Sequence, residues 1–124
     1  MGYDLHITRR AEWSEKGHDI GFDEWRVYVD ADPEMHLDGF AEAKATNGET
    51  IRVSDPGIAS WTGPSNRTAG IRCWFSWTRG RIDVRYSSDK LVFAKTWAIS
   101  RHFKARVQGD EGEFYGEDGE PLPK

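Results

Sequence analysis

The chain has 124 residues, a formal net charge of −4 and 37% hydrophobic residues, offset by six Trp, six Phe and four Tyr. That length predicts one domain able to fold without metal or disulfide, and the aromatic content excludes a disordered acidic tail. The single cysteine, Cys73, excludes an intramolecular disulfide and fits a reducing compartment, so a cytoplasmic location is expected.

Met1–His6 lacks the basic and apolar regions of a signal peptide, and no apolar run approaches the length of a membrane span. The charge is unevenly spread. Residues 1–60 hold 6 basic and 13 acidic groups, 61–108 hold 10 and 2, and 109–124 hold 1 and 6. Either these segments neutralise each other in the fold, or they present acidic and basic surfaces to partners.

Tyr3–Thr8 alternates apolar and polar residues and predicts a strand, with His6 on its polar face. Arg9–Asp19 reads as a loop, from which Trp13 docks back onto the core. A helix is expected over Ile20–Ala31. Gly21 is its N-cap, Asp23 and Glu24 stand in its first turn, Ile20 and Trp25 form a hydrophobic staple, and Phe22, Trp25 and Val29 share one face. It stops before Asp32-Pro33.

Phe40–Ala45 and Thr50–Val53 flank Asn47-Gly48, a strong hairpin signal, and Ile58–Thr62 is a further strand. Residues 69–86 form the clearest hairpin, with Ile71, Cys73, Phe75 and Trp77 alternating against Arg72, Trp74, Ser76 and Thr78. Arg79 suits a positive φ poorly, so its loop is expected to exceed two residues. Ser88 can cap a second helix, Asp89 to about Phe103, with Leu91, Ala94 and Ala98, and with them Phe93 and Trp97, facing inward. Short strands follow at 105–108 and 113–115, and 116–124 is expected to be a frayed acidic tail. Runs of strands, rather than strict alternation with helices, predict one α+β domain: a mostly antiparallel sheet of five to seven strands with two helices on one face.

The segments Tyr3-Asp4-Leu5-His6-Ile7-Thr8-Arg9, Asp23-Glu24-Trp25, Asp32-Pro33-Glu34-Met35 and Val107-Gln108-Gly109-Asp110-Glu111-Gly112-Glu113 carry a resemblance. The chain resembles a group of small uncharacterised bacterial cytoplasmic proteins of the toxin-immunity kind. The resemblance covers both ends and nearly the whole length. It implies an immunity partner of a toxin and brings no catalytic residues.

No constellation in the sequence names a reaction. His6, His18, His36 and His102 are not spaced as metal ligands, Cys73 reads as a buried core thiol, and no phosphate-binding glycine loop is present. The acidic turn 110–113 and the tail lack the ligand spacing of a calcium loop. No enzyme activity, metal or cofactor is therefore expected.

Two binding readings remain. In the first, a protein partner such as a nuclease toxin with a basic cleft docks on Asp19, Asp23, Glu24, Asp30, Asp32 and Glu34 around the first helix together with Asp110, Glu111 and Glu113. Loop-borne Trp13 and Trp61 are its expected aromatic anchors. In the second, Arg72, Trp74, Arg81 and Arg85 form a face that holds RNA by charge and stacking, although an acidic chain argues against dedicated nucleic-acid binding.

Overall fold

The computed structural model describes residues 3–63, 73–87 and 89–123. The elements in chain order are β1 (Asp4–Thr8), α1 (Phe22–Ala31), β2 (Met35–His36), β3 (Phe40–Lys44), β4 (Thr50–Ser54), β5 (Ile58–Trp61), β6 (Cys73–Thr78), β7 (Arg81–Arg85), α2 (Lys90–His102), β8 (Arg106–Gly109) and β9 (Phe114–Tyr115). Seven strands form an antiparallel sheet in the order β2-β5-β6-β7-β1-β8-β9, and β3 and β4 form a separate two-stranded sheet. The fold is α+β, as the pattern of elements predicts.

Period-two alternation makes the core. Leu5 and Ile7 of β1, Ile82 and Val84 of β7, Phe75 of β6 and Val107 of β8 share one sheet face. Trp25 and Val29 of α1 and Val92 and Ile99 of α2 cover it. Gly21 caps α1, and its N–H donates to the Glu24 carboxylate at 2.8 Å, the backbone-donor half of a capping box. Ile20 and Trp25, the expected staple, are both fully buried, and the Trp25 indole N–H donates to the Gly57 carbonyl at 2.9 Å.

The second helix differs from expectation in its cap and its face. Asp89 is the N-cap, accepting from Leu91 N–H at 2.8 Å; Ser88 lies outside the described residues. Val92, Thr96, Ile99 and Phe103, at spacings of 4, 3 and 4, point inward, while Leu91, Ala94 and Ala98 are exposed. The buried face contains hydroxyls, which hid it from an apolar pattern. Thr96 and Ser100 satisfy their hydroxyls on the helix itself, donating to the carbonyls of Val92 and Trp97.

The turns also differ. Arg79 and Gly80 form a two-residue connection between Thr78 and Arg81, with φ of 50° and 84°. Arg79 therefore does occupy the left-handed region, its carbonyl held by Arg10. The Asn47-Gly48 hairpin instead closes over five residues, Ala45 to Glu49, with Ala45 N–H donating to Glu49 O at 2.8 Å. Residues 116–123 are not frayed. Leu122 N–H donates to Phe114 O at 2.7 Å, and Pro121 bridges to Tyr115. Residues 69–72 of the expected long hairpin lie outside the described residues.

Candidate functional site: a partner-binding surface

The acidic groups on and around α1 are mostly committed internally. Glu24 receives a two-pronged contact from Arg9 at 2.9 and 3.1 Å, and with the Gly21 N–H this pulls its carboxyl down to about 2. Asp19 accepts from the buried Arg10 at 2.7 Å. Asp32 is partly buried, which favours its neutral form. Lys95, the Glu34 N–H and the Tyr28 hydroxyl outweigh that and hold its carboxyl below the usual range. Glu34 accepts from the Trp61 indole at 3.1 Å and lies 3.6 Å from Lys95. Asp23 is highly exposed and touches only Arg26, at 3.3 Å. Among the described residues Asp30 has no ion-pair partner. These pairs tie α1 to β1 and α2; Asp23 and Asp30 remain available to another molecule.

The late turn does not join that group in one patch. Register places Gly109 beside Leu5, so Asp110 sits at the start of β1, where it accepts from the Asp4 N–H at 2.9 Å. Arg9 and Glu24 meet just beyond the other end of the strand, about 16 Å away for a five-residue strand. Asp110 also reaches the sheet face opposite the helices. Glu113 is held by the hydroxyls of Tyr3 and Tyr115, and Glu111 is exposed.

His6 anchors this second face. Expected on a polar face, it is only 3% exposed, because the loop after β1 folds back over the sheet. The Trp13 ring stacks on the imidazole at 3.8 Å and 12°. Its backbone N–H donates to Gln108 Oε1 at 2.7 Å, and the Arg81 guanidinium lies 4.9 Å from the Trp13 ring centroid. Nδ1 of His6 is 2.6 Å from Asp83 and Nε2 is 2.6 Å from Asp110. Burial alone would lower the imidazole's pKa. The hydrogen bonds to the two carboxylates outweigh burial and raise it. Both ring nitrogens are engaged by carboxylates, so neither is open to a substrate.

Cys73 is half-buried and packs against the core; burial pushes its thiol up to about 11, so it is protonated at neutral pH. Among the described residues, no group of three or more His, Cys, Asp or Glu is placed to hold a metal ion. Nor is any helix long and apolar enough to cross a membrane.

The two expected anchors separate. Trp13 is half-buried and fixed on His6. Trp61 is not on a loop: it is a β5 residue only 2% exposed and belongs to the core. Sequence placed it near the end of the Ile58–Thr62 strand, within reach of a partner, but strand pairing Met35↔Trp61↔Cys73 carries it inside.

On the basic face, Trp74 falls opposite Arg85 by the β6–β7 register. Arg85 is largely exposed and pairs with Asp4 at 3.1 Å. Arg81 is largely buried and pairs with Asp83 at 3.0 Å. Arg72 lies outside the described residues.

One feature was not recognised as a site from sequence. Strand β4 is exposed along its whole length and, among the described residues, pairs only with β3. Ile51 and Val53, two residues apart and so on one side of the ribbon, are 54% and 59% exposed. The alternation was visible around Asn47-Gly48. That the ribbon stands outside the main sheet was not. Comparison with protein-family models, with curated proteins and with solved structures found no match.

Proposed function

We propose that the chain is a non-enzymatic binding protein that neutralises a cognate bacterial toxin in the cytoplasm by stoichiometric association, as an immunity protein does. The observation that carries the binding reading is the β3–β4 ribbon. Its outer strand presents Ile51 and Val53 to solvent beside an edge that has no strand partner among the described residues, a combination that natural proteins blunt unless something covers it. A partner strand or apolar patch laid there buries both side chains and pairs the edge.

The exposed carboxylates Asp23, Asp30 and Glu111 suit a basic partner, such as a nuclease cleft built to hold phosphate. The closed hydrogen bonding of His6 and the protonated Cys73 thiol support a role without chemistry of its own. The RNA reading is weaker, because Arg81 is spent on Asp83 and Trp13.

The test is affinity capture from the native cell, with binding kinetics of the captured partner at two salt concentrations. A protein should co-purify. Changing Asp23 and Asp30 to Asn should slow its association and flatten the salt dependence. Recovery of RNA instead, or loss of binding on changing Arg72, Arg81 and Arg85 but not the carboxylates, replaces this reading with the nucleic-acid one.

A further inference from the structure

The turn between β6 and β7 and the loop after β1 flank an open cavity of about 420 Å³, lined among others by Ser14, Lys16, Gly17, Trp77, Arg79 and Gly80. Its frame is built by Arg10, itself only 3% exposed. Nε donates to Gly17 O at 2.7 Å, Nη1 to Trp13 O at 2.9 Å, and Nη2 to Asp19 and to the Arg79 carbonyl. The Ile20 N–H closes the frame on Gly80 O at 2.8 Å.

Unfavourable backbone concentrates here. His18 and Arg79 have φ of 47° and 50°, each beside a glycine with φ of 89° or 84°. A two-residue hairpin turn of this hand favours Asn or Gly at its first position, yet this chain carries arginine there. Conformations of this kind persist where the surrounding structure enforces them, often at ligand sites. Here the enforced turn sets Arg79 on the lining that Lys16 shares.

Charge accounting identifies the ligand class. Of the charged groups on the lining, Arg10 is neutralised by Asp19 and Arg81 by Asp83. Lys16 and Arg79 have no carboxylate within 4.0 Å among the described residues, and Glu15 is the one remaining anion. The balance of +2 and −1 leaves the lining with one positive charge in excess. The Trp77 indole N–H is satisfied by Ile20 O at 2.7 Å, so Trp77 adds an apolar wall.

We propose that this cavity binds a small organic monoanion, a carboxylate on an aromatic or apolar body, with the carboxylate between Lys16 and Arg79 and the body against Trp77. The guanidinium fork matches a carboxylate in two-pronged geometry, and the volume is that of an ordinary small-ligand site. The site is independent of the β3–β4 ribbon, so either reading can fail without the other.

The experiment titrates the full chain with benzoate, phenylacetate and indole-3-acetate, followed by amide NMR, with benzamide and inorganic phosphate as controls. At least one carboxylate should shift the Gly17, Arg79 and Gly80 amides saturably, with a Kd of about 1 mM or tighter; the neutral amide and phosphate should not. Arg79→Asn, a residue the turn prefers, should melt at or above the wild-type temperature yet bind about tenfold more weakly. Lys16→Gln should also weaken binding. The proposal is overturned if no carboxylate saturates these shifts, if benzamide or phosphate binds as well, or if Arg79→Asn retains wild-type affinity.

Discussion

Replacing His6 by Gln keeps a side chain of similar reach but removes the charge that Asp83 and Asp110 share. The wild-type imidazolium makes two 2.6 Å contacts to carboxylates beneath the Trp13 ring, at a residue 3% exposed. A hydrogen bond to a charged group contributes about 1.5–3 kcal/mol. The lower end applies here, because Asp83 keeps Arg81 and Asp110 keeps the Asp4 N–H. Together the two contacts imply a loss of about 3 kcal/mol, a large share of the roughly 5–15 kcal/mol of a domain this size.

The pH dependence has a definite sign. The folded pKa of His6 is raised above 6.5, so its contribution is complete below 6.5 and fades as pH rises through the folded value. The folded pKa of Asp110, which burial would raise, is lowered by the Asp4 N–H and His6. Its contribution is therefore present above 3.8 and lost as pH falls through the folded value. The pair is strongest between these limits. Urea unfolding at about pH 5, 6, 7 and 8 checks this. The wild type should lose its advantage over His6→Gln as pH rises above about 6.5. A constant gap between the two proteins across that range would refute the assigned protonation state.

Three further outcomes follow from packing. Trp61→Ala should cost about 3–5 kcal/mol in chemical denaturation, as a core deletion does, where a surface anchor would cost little. Asp89→Ala removes the acceptor for Leu91 N–H and should cost about 1 kcal/mol by thermal melting followed by circular dichroism. Gly57→Ala should be poorly tolerated in the same melt, since its Cβ would fall 2.3 Å from the Trp77 carbonyl oxygen, a backbone atom that cannot swing away.

Much of the fold was legible where one physical signal dominated. Gly21, Glu24 and the Ile20–Trp25 staple identify α1, and strict alternation from Phe75 to Tyr86 identifies the central hairpin. Other elements depended on tertiary context. The inward face of α2 mixes Val92 and Ile99 with Thr96 and Ser100, whose hydroxyls are satisfied only once the helix exists. His6 was read as lying on a polar face because one strand cannot show that the 13-residue loop from Arg9 to Gly21 will return and place Trp13 on it.

The candidate surface was legible as composition but not as geometry. Most of its carboxylates have partners distant in sequence, such as Lys95 for Asp32 and His6 for Asp110. The two acidic groups were expected to form one patch if strands 3–8 and 105–108 lay near the first helix, and β1 running between them separates them. The reverse holds at Ile51 and Val53, where an ordinary-looking strand becomes a candidate interface only because no second sheet covers it.

The proposed function stands on the β3–β4 ribbon, so the most direct measurement compares capture of a partner by the wild type and by the double variant Ile51→Lys, Val53→Lys. Both side chains are more than half exposed, so the variant should unfold at the wild-type urea midpoint. The account predicts that a toxin-domain protein co-purifies at one-to-one stoichiometry with the wild type, that its activity is blocked in that complex, and that the folded double variant neither retains it nor blocks it. A folded double variant that captures and neutralises the same protein as tightly as the wild type would contradict the account.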